Sequence, residues 1–537
     1  MRMRGGAKTT TACDGCRVRR IGCERVPGQR GCAPCARAEI DCTFTHVRQR
    51  PGPAPGYKRK IARVSEQPPR EWQPAPEPEP EPEPAPPPRG ASPPPDPFAP
   101  LPRQLLTHLV ALYFDYVFWL VPYPHRPSFE RDLARRREAG AGEDEWVAMV
   151  YGMLTNVLVL PASLLPVSAD EAKALLNVCF ERVMAFLKRE YDEYSADRSQ
   201  RKPGPAATPT DPSNVALGNG HSALCRELIG SMIFLAVQRN LDRESTYATM
   251  QPLEREMYRR MWWLVYCADR SGATCEGARP VLNEDICASV QLPSTLDDEA
   301  LALAAAGLNV DEHEHAESPL WGFFYSSALW RVAGKIHSRR ERDQAVPPDP
   351  GTILHRITEL DEIIEELDDL LVDTPPFLSL KLDAHVGTPD LPLAVNALLS
   401  PVKQGIVVQQ SNLYVSQQAI RLVAVQYRRD LVDLRWSAAP PPSAVIPRSD
   451  VLAVHKLHDN ERAFWVNRDQ IVSTLLRVLQ ALPLELVAVN ACPVLSKIRY
   501  VASTLLADDG GEGLSLGYLQ QYIDYLSRLE SLSVYRI

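Results

Sequence analysis

Six cysteines near the start of this 537-residue chain constrain its fold more than any other feature. They follow the pattern C-x2-C-x6-C-x8-C-x2-C-x6-C and are Cys13, Cys16, Cys23, Cys32, Cys35 and Cys42. The halves CDGCRVRRIGC and CAPCARAEIDC have identical cysteine spacing, so the segment is an internal repeat. We expect each half to form a short helix and a loop that present three thiols.

These cysteines are expected to bind metal rather than to form disulfides. The chain begins MRMRGGAKTTTACDGC, which lacks the apolar core of a secretory signal, so we expect the protein to stay inside the cell, where disulfides are rare. One tetrahedral zinc would leave two of six thiolates unused. Two zinc ions need eight bonds, which six thiolates supply only if one from each half bridges both metals. A single structural zinc and scattered free thiols are the alternatives.

Charge is divided unevenly along the chain. Residues 1–63 hold 15 Lys and Arg against 4 Asp and Glu, a net charge of +11, and the remaining residues carry −19. A basic patch determines the field that a polyanion meets at short range, so this division predicts a nucleic-acid-binding head on an acidic body.

A proline-rich segment separates these two parts. Residues 68–102 contain 17 prolines in 35 positions, with alternating Glu and Pro, which predicts a semi-rigid spacer and no packed element. Beyond it, apolar residues recur every three or four positions, and sustained period-two alternation is absent. We expect a zinc cluster with two short helices at 8–47, a basic then proline-rich linker at 48–102, and a large all-α regulatory domain at 103–520.

The cysteine segment resembles the fungal Zn(2)-C(6) binuclear-cluster DNA-binding domain, on the residues ACDGCRVRRIGC and CAPCARAEIDCTF. The resemblance implies that Cys13 and Cys32 bridge the two zinc ions. It also implies that the first helix lies in the major groove over a CGG-type triplet, where the paired basic residues of the family correspond to Arg19 and Arg20. Gly22 departs from the family, which usually has Lys or Arg before the third cysteine.

The residues themselves place the DNA-binding face on the first half. It carries Arg17, Arg19 and Arg20 between its cysteines, whereas acidic residues offset Arg37 in the second half. The planar fork of arginine reaches O6 and N7 of guanine together, which makes it the natural reader of G·C pairs. Downstream, Lys58, Arg59 and Lys60 form a basic run that could be a nuclear-import signal, a phosphate contact, or both. A solvated charged face is the alternative for either group.

The body also carries resemblances. LLTHLVALYFDYVFWLVPYPHRPSFERDL and NLDRESTYATMQPLEREMYRRMWWLVYCADRSGATCEGARPVLNEDI are similar to the fungal-specific transcription factor domain. Matching positions of the second stretch include Arg259, Arg260, Trp262, Asp269 and Arg270, and Gly277 to Pro280 replaces the Gly-Arg-Pro of the family with one extra residue. The stretches PGPAPGYKRKI and VNACPVLSKIRYVASTLL are similar to the subgroup of fungal starch, maltose and xylan regulators.

Some features have more than one interpretation. The block from Arg259 to Asp269 is expected to be an ordinary helix with i, i+4 pairs and a buried Trp. ITELDEIIEELDDLLVD at 357–373 has apolar residues at alternating spacings of three and four, which favours a core-facing helix with an acidic outer face. A coactivator-docking surface or a dimer seam is the alternative.

The uncharged run 147–169 is interrupted by Pro161 and predicts buried helix and loop rather than a membrane span.

Together these patterns predict a nuclear, sequence-specific DNA-binding regulator of RNA polymerase II genes that is not an enzyme, since no common catalytic motif stands out. Its expected partners are double-stranded DNA and the transcription machinery or coactivators, with a homodimer and a small-molecule inducer as further candidates. The resemblance to sugar regulators suggests carbohydrate-utilisation genes. The alternative is a zinc-dependent protein-interaction module that does not read DNA.

Overall fold

In a computed structural model the chain forms two compact units, 1–91 and 92–537. The structure describes the residues Cys13, Cys16, Cys23, 32–38, 40, 42–43, 96–99, 101–140, 142–196, 222–310, 317–382, 399–437, 448–506 and 514–532. In the first unit the described residues include one short helix, α1 (Ala33–Arg37). The predicted DNA contacts Arg17, Arg19, Arg20, Lys58, Arg59 and Lys60 lie outside the described residues.

The described part of the second unit is helical and contains no strand, which confirms the all-α prediction. Its helices are α2 (Arg103–Leu112), α3 (Arg126–Ala134), α4 (Asp144–Val157), α5 (Ala169–Ala196), α6 (Ser222–Gln238), α7 (Glu244–Tyr247), α8 (Pro252–Cys275), α9 (Glu284–Cys287), α10 (Asp298–Ala305), α11 (Leu320–Ala345), α12 (Ile353–Asp369), α13 (Pro401–Ser437), α14 (Arg448–Ala481), α15 (Leu484–Ala488), α16 (Ala491–Ser503) and α17 (Leu514–Leu532). A π-helical segment (Tyr113–Val117) continues α2, and short 3-10 turns lie at Arg137–Ala139 and Ala162–Leu164.

Helix α13 is the central element of this unit. Leu413, Ile420 and Tyr427 pack into the larger of the two main apolar clusters, together with α2, α4, α8, α11 and α12. Val415 and Leu422, seven residues apart on another face, pack into the second cluster with α14, α16 and α17. A helix that is apolar on more than one face is buried on both, and α13 therefore joins the two halves of the body.

The body begins before the predicted boundary at 103. Phe98 is buried, and its ring packs 6.3 Å from that of Trp146 and 5.3 Å from that of Tyr151. The Tyr151 hydroxyl donates to the carbonyl of Pro97 at 2.6 Å. Burial of one aromatic ring contributes enough apolar area to fix the chain locally, although its neighbours are prolines. At the other end, the predicted boundary at 520 falls inside α17.

Arg260 on α8 is fully buried. Its Nη1 donates to Asp298 Oδ1 at 2.6 Å and to the carbonyl of Pro122 at 3.3 Å, and its Nε lies 3.5 Å from Glu256 Oε1. Asp298 Oδ2 also accepts the backbone N–H of Arg126 at 2.6 Å. The predicted i, i+4 pair on α8 is therefore present, but as part of a buried network that joins α8 to the starts of α3 and α10.

Further along α8, Arg270 forms a second buried network. Its guanidinium contacts Asp269 Oδ2 at 3.2 Å and Glu284 Oε2 at 3.0 Å, and the Tyr266 hydroxyl donates to the same Glu284 oxygen at 2.6 Å. A Cβ on Gly334 of α11 would collide with this Tyr266 hydroxyl. Glycine is therefore required where α11 crosses the network.

The apolar stripe of α12 faces the core. Ile357, Leu360 and Leu367 are buried in the larger cluster. On its acidic side Asp361 pairs with Arg428 of α13 at 2.8 Å. The core-facing interpretation is thus confirmed, and the stripe is covered by this chain's own helices rather than left available for a dimer seam.

The uncharged run at 147–169 forms the buried remainder of α4 followed by turns, as its prolines predicted. No described helix is both long enough and apolar enough to cross a bilayer. His313 and His315 in DEHEHAE, whose i, i+2 spacing favours a polar loop over a metal site, are outside the described residues.

His337 on α11 is a buried neutral group whose titration should be visible in stability. Its ring lies 2.9 Å from Thr274 Oγ1. Burial, followed by the nearby Arg270 and Arg340, lowers the pKa of His337 from 6.5 to about 4. Because the unfolded chain binds the proton first, stability that is complete above pH 6.5 should fall by about 2–3 kcal/mol as the pH drops towards 4.

Thermal melts of the wild type and His337→Gln between pH 7.5 and 4.5 check this prediction. The wild type should lose stability more steeply than the variant, because glutamine has no proton to gain. His108→Gln, at an exposed position on α2, is the matched control and should keep the wild-type slope. Parallel curves for the wild type and His337→Gln would contradict the prediction.

Candidate metal centre

Helix α1 positions two of the thiols. Cys32 is its N-cap in an extended conformation, and Pro34 lies in the first turn, where its missing N–H costs nothing. The backbone N–H of Cys35 donates to the Cys32 carbonyl at 3.1 Å. The resulting turn brings the two side chains to the same side of the chain, which is the geometry that a C-x2-C spacing provides for a metal.

Four thiols converge on one buried point. Cys13, Cys16, Cys32 and Cys35 are almost fully inaccessible, and their Sγ atoms lie within 4.8 Å of one another. The Sγ of Cys13 is 3.6 Å from that of Cys32 and 3.5 Å from that of Cys35, and the Sγ of Cys16 is 3.5 Å and 3.9 Å from the same two atoms. A disulfide requires about 2.05 Å, so the thiols are unpaired.

The remaining two cysteines lie at the edge of this group. Cys23 and Cys42 are half-buried and pack against the four inner thiols. The backbone N–H of Cys13 donates to Cys23 Sγ at 3.5 Å. Cys13 and Cys32, one from each half of the repeat, lie among the four inner thiols with their Sγ atoms 3.6 Å apart.

The sulfur set fits zinc. Zinc with Zn–S bonds of about 2.3 Å separates tetrahedral sulfur ligands by about 3.8 Å, close to the separations of the inner thiols. Burial and contact with the neighbouring thiols raise the pKa of Cys16 and Cys35. Hydrogen bonds from its neighbours outweigh burial at Cys13 and hold its pKa below the usual value. Divalent cations offset the negative charge of closely packed thiolates. Without a metal, the few apolar residues of this segment could not keep these thiolates buried.

Two segments of the chain match known domain families. Residues 11–51 match the fungal Zn(2)-Cys(6) binuclear cluster domain, and residues 215–338 match the fungal specific transcription factor domain. These two matches support a fungal Zn(2)-Cys(6) transcription factor. The zinc-cluster prediction, with two zinc ions as cofactor, is confirmed by the first match and by the four convergent thiols. Both matched families are transcription factor domains rather than enzymes.

A relative from Saccharomyces cerevisiae (strain ATCC 204508 / S288c), "Maltose fermentation regulatory protein MAL13", is 25% identical over 276 residues, which cover 48% of this chain and 49% of the relative. The chain thus spans about half the length of this curated relative. No solved structure matches the chain.

The body of the chain contains one feature that its sequence pattern should have revealed. Val494, Leu495, Ile498 and Val501 form the buried face of α16, and Lys497 lies among them with 3% of its surface exposed. Lys497 follows Val494 by three residues and precedes Val501 by four, so it lies on the apolar face of the helix. This spacing is the sequence signal that could have predicted the buried lysine.

Proposed function

We propose that the chain is a sequence-specific DNA-binding regulator of transcription that acts in the nucleus and reads a CGG-type triplet through its zinc cluster. All six cysteines hold the two zinc ions, with Cys13 and Cys32 as the bridging ligands. The observation that carries this proposal is the convergence of four buried thiols, with the Sγ atoms of Cys13 and Cys32 3.6 Å apart. The metals supply fold rather than chemistry, since they fix a segment too small for a core of its own.

The electrostatic division of the chain supports the DNA-binding part of the proposal. A net charge of +11 on residues 1–63, against −19 on the rest of the chain, favours a polyanionic partner at the head. We assign base reading to Arg17, Arg19 and Arg20, and backbone contacts to Lys58, Arg59 and Lys60, because only the first half of the cysteine repeat carries unopposed arginines.

Arg20→Ala should weaken binding to a CGG-containing duplex by about 1–3 kcal/mol and relax selectivity at one G·C pair, since it removes a base-edge contact. Lys58→Ala should weaken binding to all sequences about equally and flatten the salt dependence, since it removes a phosphate contact. Fluorescence anisotropy with the full-length protein, on CGG and scrambled duplexes at several salt concentrations, measures both effects.

Arg37→Ala is the control, because Arg37 lies in the second half of the repeat and its Nε is 3.4 Å from the Ala33 carbonyl within α1. It should leave sequence selectivity unchanged. An equal loss for Arg20→Ala on every duplex would make Arg20 a phosphate contact. A zinc-loaded wild type that binds no duplex would reject DNA reading in favour of a zinc-dependent protein-interaction module.

For the targets, we propose carbohydrate-utilisation genes. The support is the similarity to a regulatory protein whose name refers to maltose fermentation, with two sequence stretches similar to sugar regulators. Coactivator contacts and a homodimer on paired half-sites belong to the same proposal. Genome-wide mapping of bound sites tests it: enrichment at genes for polysaccharide breakdown or sugar uptake is expected, and a set of bound genes without them would contradict it.

A further inference from the structure

The body contains a cavity of about 190 Å³ between α8, α11, α13 and α16. Apolar side chains line part of its wall, including Leu264 and Trp330, and amide groups line another part, including Asn412 and Asn490. A cavity of about 150 Å³ is enough to hold benzene. The cavity therefore accommodates one six-membered ring with a small substituent. A lining of apolar side chains with a few polar groups is typical of small-molecule sites.

Lys497 is one of the residues that line this cavity. Its Nζ donates to Ser416 Oγ at 2.8 Å and to Asn412 Oδ1 at 3.2 Å, both on α13, and lies 5.2 Å from the centre of the Trp330 ring. An ammonium group has three N–H donors, so these two hydrogen bonds leave one further donor.

Lys497 has no counter-charge among the residues that the structure describes. No carboxylate forms an ion pair with it there, and its hydrogen-bond acceptors are uncharged. Glu276 also lines the cavity but lies 3.9 Å from Arg226, which is its own partner. A buried charge normally comes with a partner, because removing an ion from water costs several kcal/mol. An anion bound in the cavity would supply this missing partner.

We propose that this cavity is a binding site for a small organic carboxylate, with Lys497 as the counter-charge of the carboxylate and Trp330 and Leu264 against its apolar part. The site lies wholly within the body and does not depend on whether the head reads DNA. The cavity volume fits a ligand with a single ring rather than a disaccharide.

The titratable groups around Lys497 are consistent with a charged lysine at neutral pH. Burial lowers its pKa from 10.5 to about 8, opposed by the weaker effects of Cys275 and Cys267 on α8. Burial raises the pKa of both thiols to about 12, so they stay neutral. Helices α11 and α13 contribute the uncharged Trp330 and Asn412. Carboxylate affinity should therefore decline as the pH rises through 8.

Isothermal titration calorimetry with the full-length, zinc-loaded protein tests the proposal. The probes are acetate, benzoate and cyclohexanecarboxylate, with benzamide as the uncharged analogue of benzoate. We expect at least one carboxylate to bind, and benzamide to bind at least tenfold more weakly than benzoate. Lys497→Met, which keeps the length of the side chain and removes its charge, should weaken carboxylate binding at least tenfold.

Lys335→Met is the matched control, because Lys335 pairs with Glu366 at 2.7 Å on the outer side of α11. It should bind the carboxylates as the wild type does. The comparison of benzoate with benzamide uses the wild type alone and decides the question even if Lys497→Met does not fold. Absence of binding by all three carboxylates, equal binding of benzamide, or unchanged binding by a folded Lys497→Met would overturn the proposal.

Discussion

Cys13→Ala should remove both zinc ions from the cluster and abolish DNA binding. Cys13 lies among the four buried thiols, and we propose it as a ligand shared by both zinc ions. Loss of a bridging sulfur leaves each metal with three ligands, and structural zinc supplies on the order of 10 kcal/mol of folding free energy in small domains. Native mass spectrometry of the full-length protein counts the metals, and duplex binding reports the consequence.

Two further variants make this experiment specific. Cys42→Ala removes an outer sulfur and should perturb mainly one metal. Cys492→Ala removes a buried thiol of the body and should retain two zinc ions per chain. A wild type that carries a single zinc, or a Cys13→Ala variant that loses no more metal than Cys42→Ala, would reject the bridged arrangement.

Asp298→Ala should destabilise the body by about 3–5 kcal/mol, because it leaves the guanidinium of Arg260 in the core without its strongest partner. The contact between Arg260 Nη1 and Asp298 Oδ1 is 2.6 Å, and both side chains are buried. The same substitution removes the acceptor of the Arg126 N–H. Thermal and urea unfolding, followed by circular dichroism, measure the loss.

An exposed ion pair on the same unit provides the comparison. Asp285 lies 3.7 Å from Arg342, and both side chains face solvent. Asp285→Ala should cost less than about 1 kcal/mol, since water screens an exposed pair. The double variant Arg260→Met with Asp298→Ala should recover part of the stability, because it removes the isolated charge. Equal losses for Asp298→Ala and Asp285→Ala would show that burial of the network contributes nothing.

These experiments separate what sequence patterns can predict from what they cannot. Apolar spacing predicted α12 and its buried face, because Ile357, Leu360 and Leu367 recur with the period of a helix. Cysteine spacing predicted the metal segment, because a C-x2-C pair needs only a local turn such as that of Cys32 and Cys35. Both signals lie within a few neighbouring residues.

Buried charges could not be predicted in the same way. Arg260 looks like a solvated residue on α8, and its partner Asp298 lies 38 residues away in the chain, so only the tertiary fold shows that the pair is enclosed. The proline content of 68–102 similarly concealed Phe98, whose burial depends on contact with Trp146 of α4. Long-range packing decides both cases.

The central position of α13 has a practical consequence for dividing this protein into fragments. The matched transcription factor segment, 215–338, would end inside α11 and omit α13 altogether. Leu329 and Trp330, now buried in the larger cluster, would then meet water and promote aggregation. A fragment intended for expression of the body should therefore begin before Phe98 and extend to Leu532. For the same reason, limited proteolysis of the intact chain should leave a resistant core much longer than the segment that matches the family.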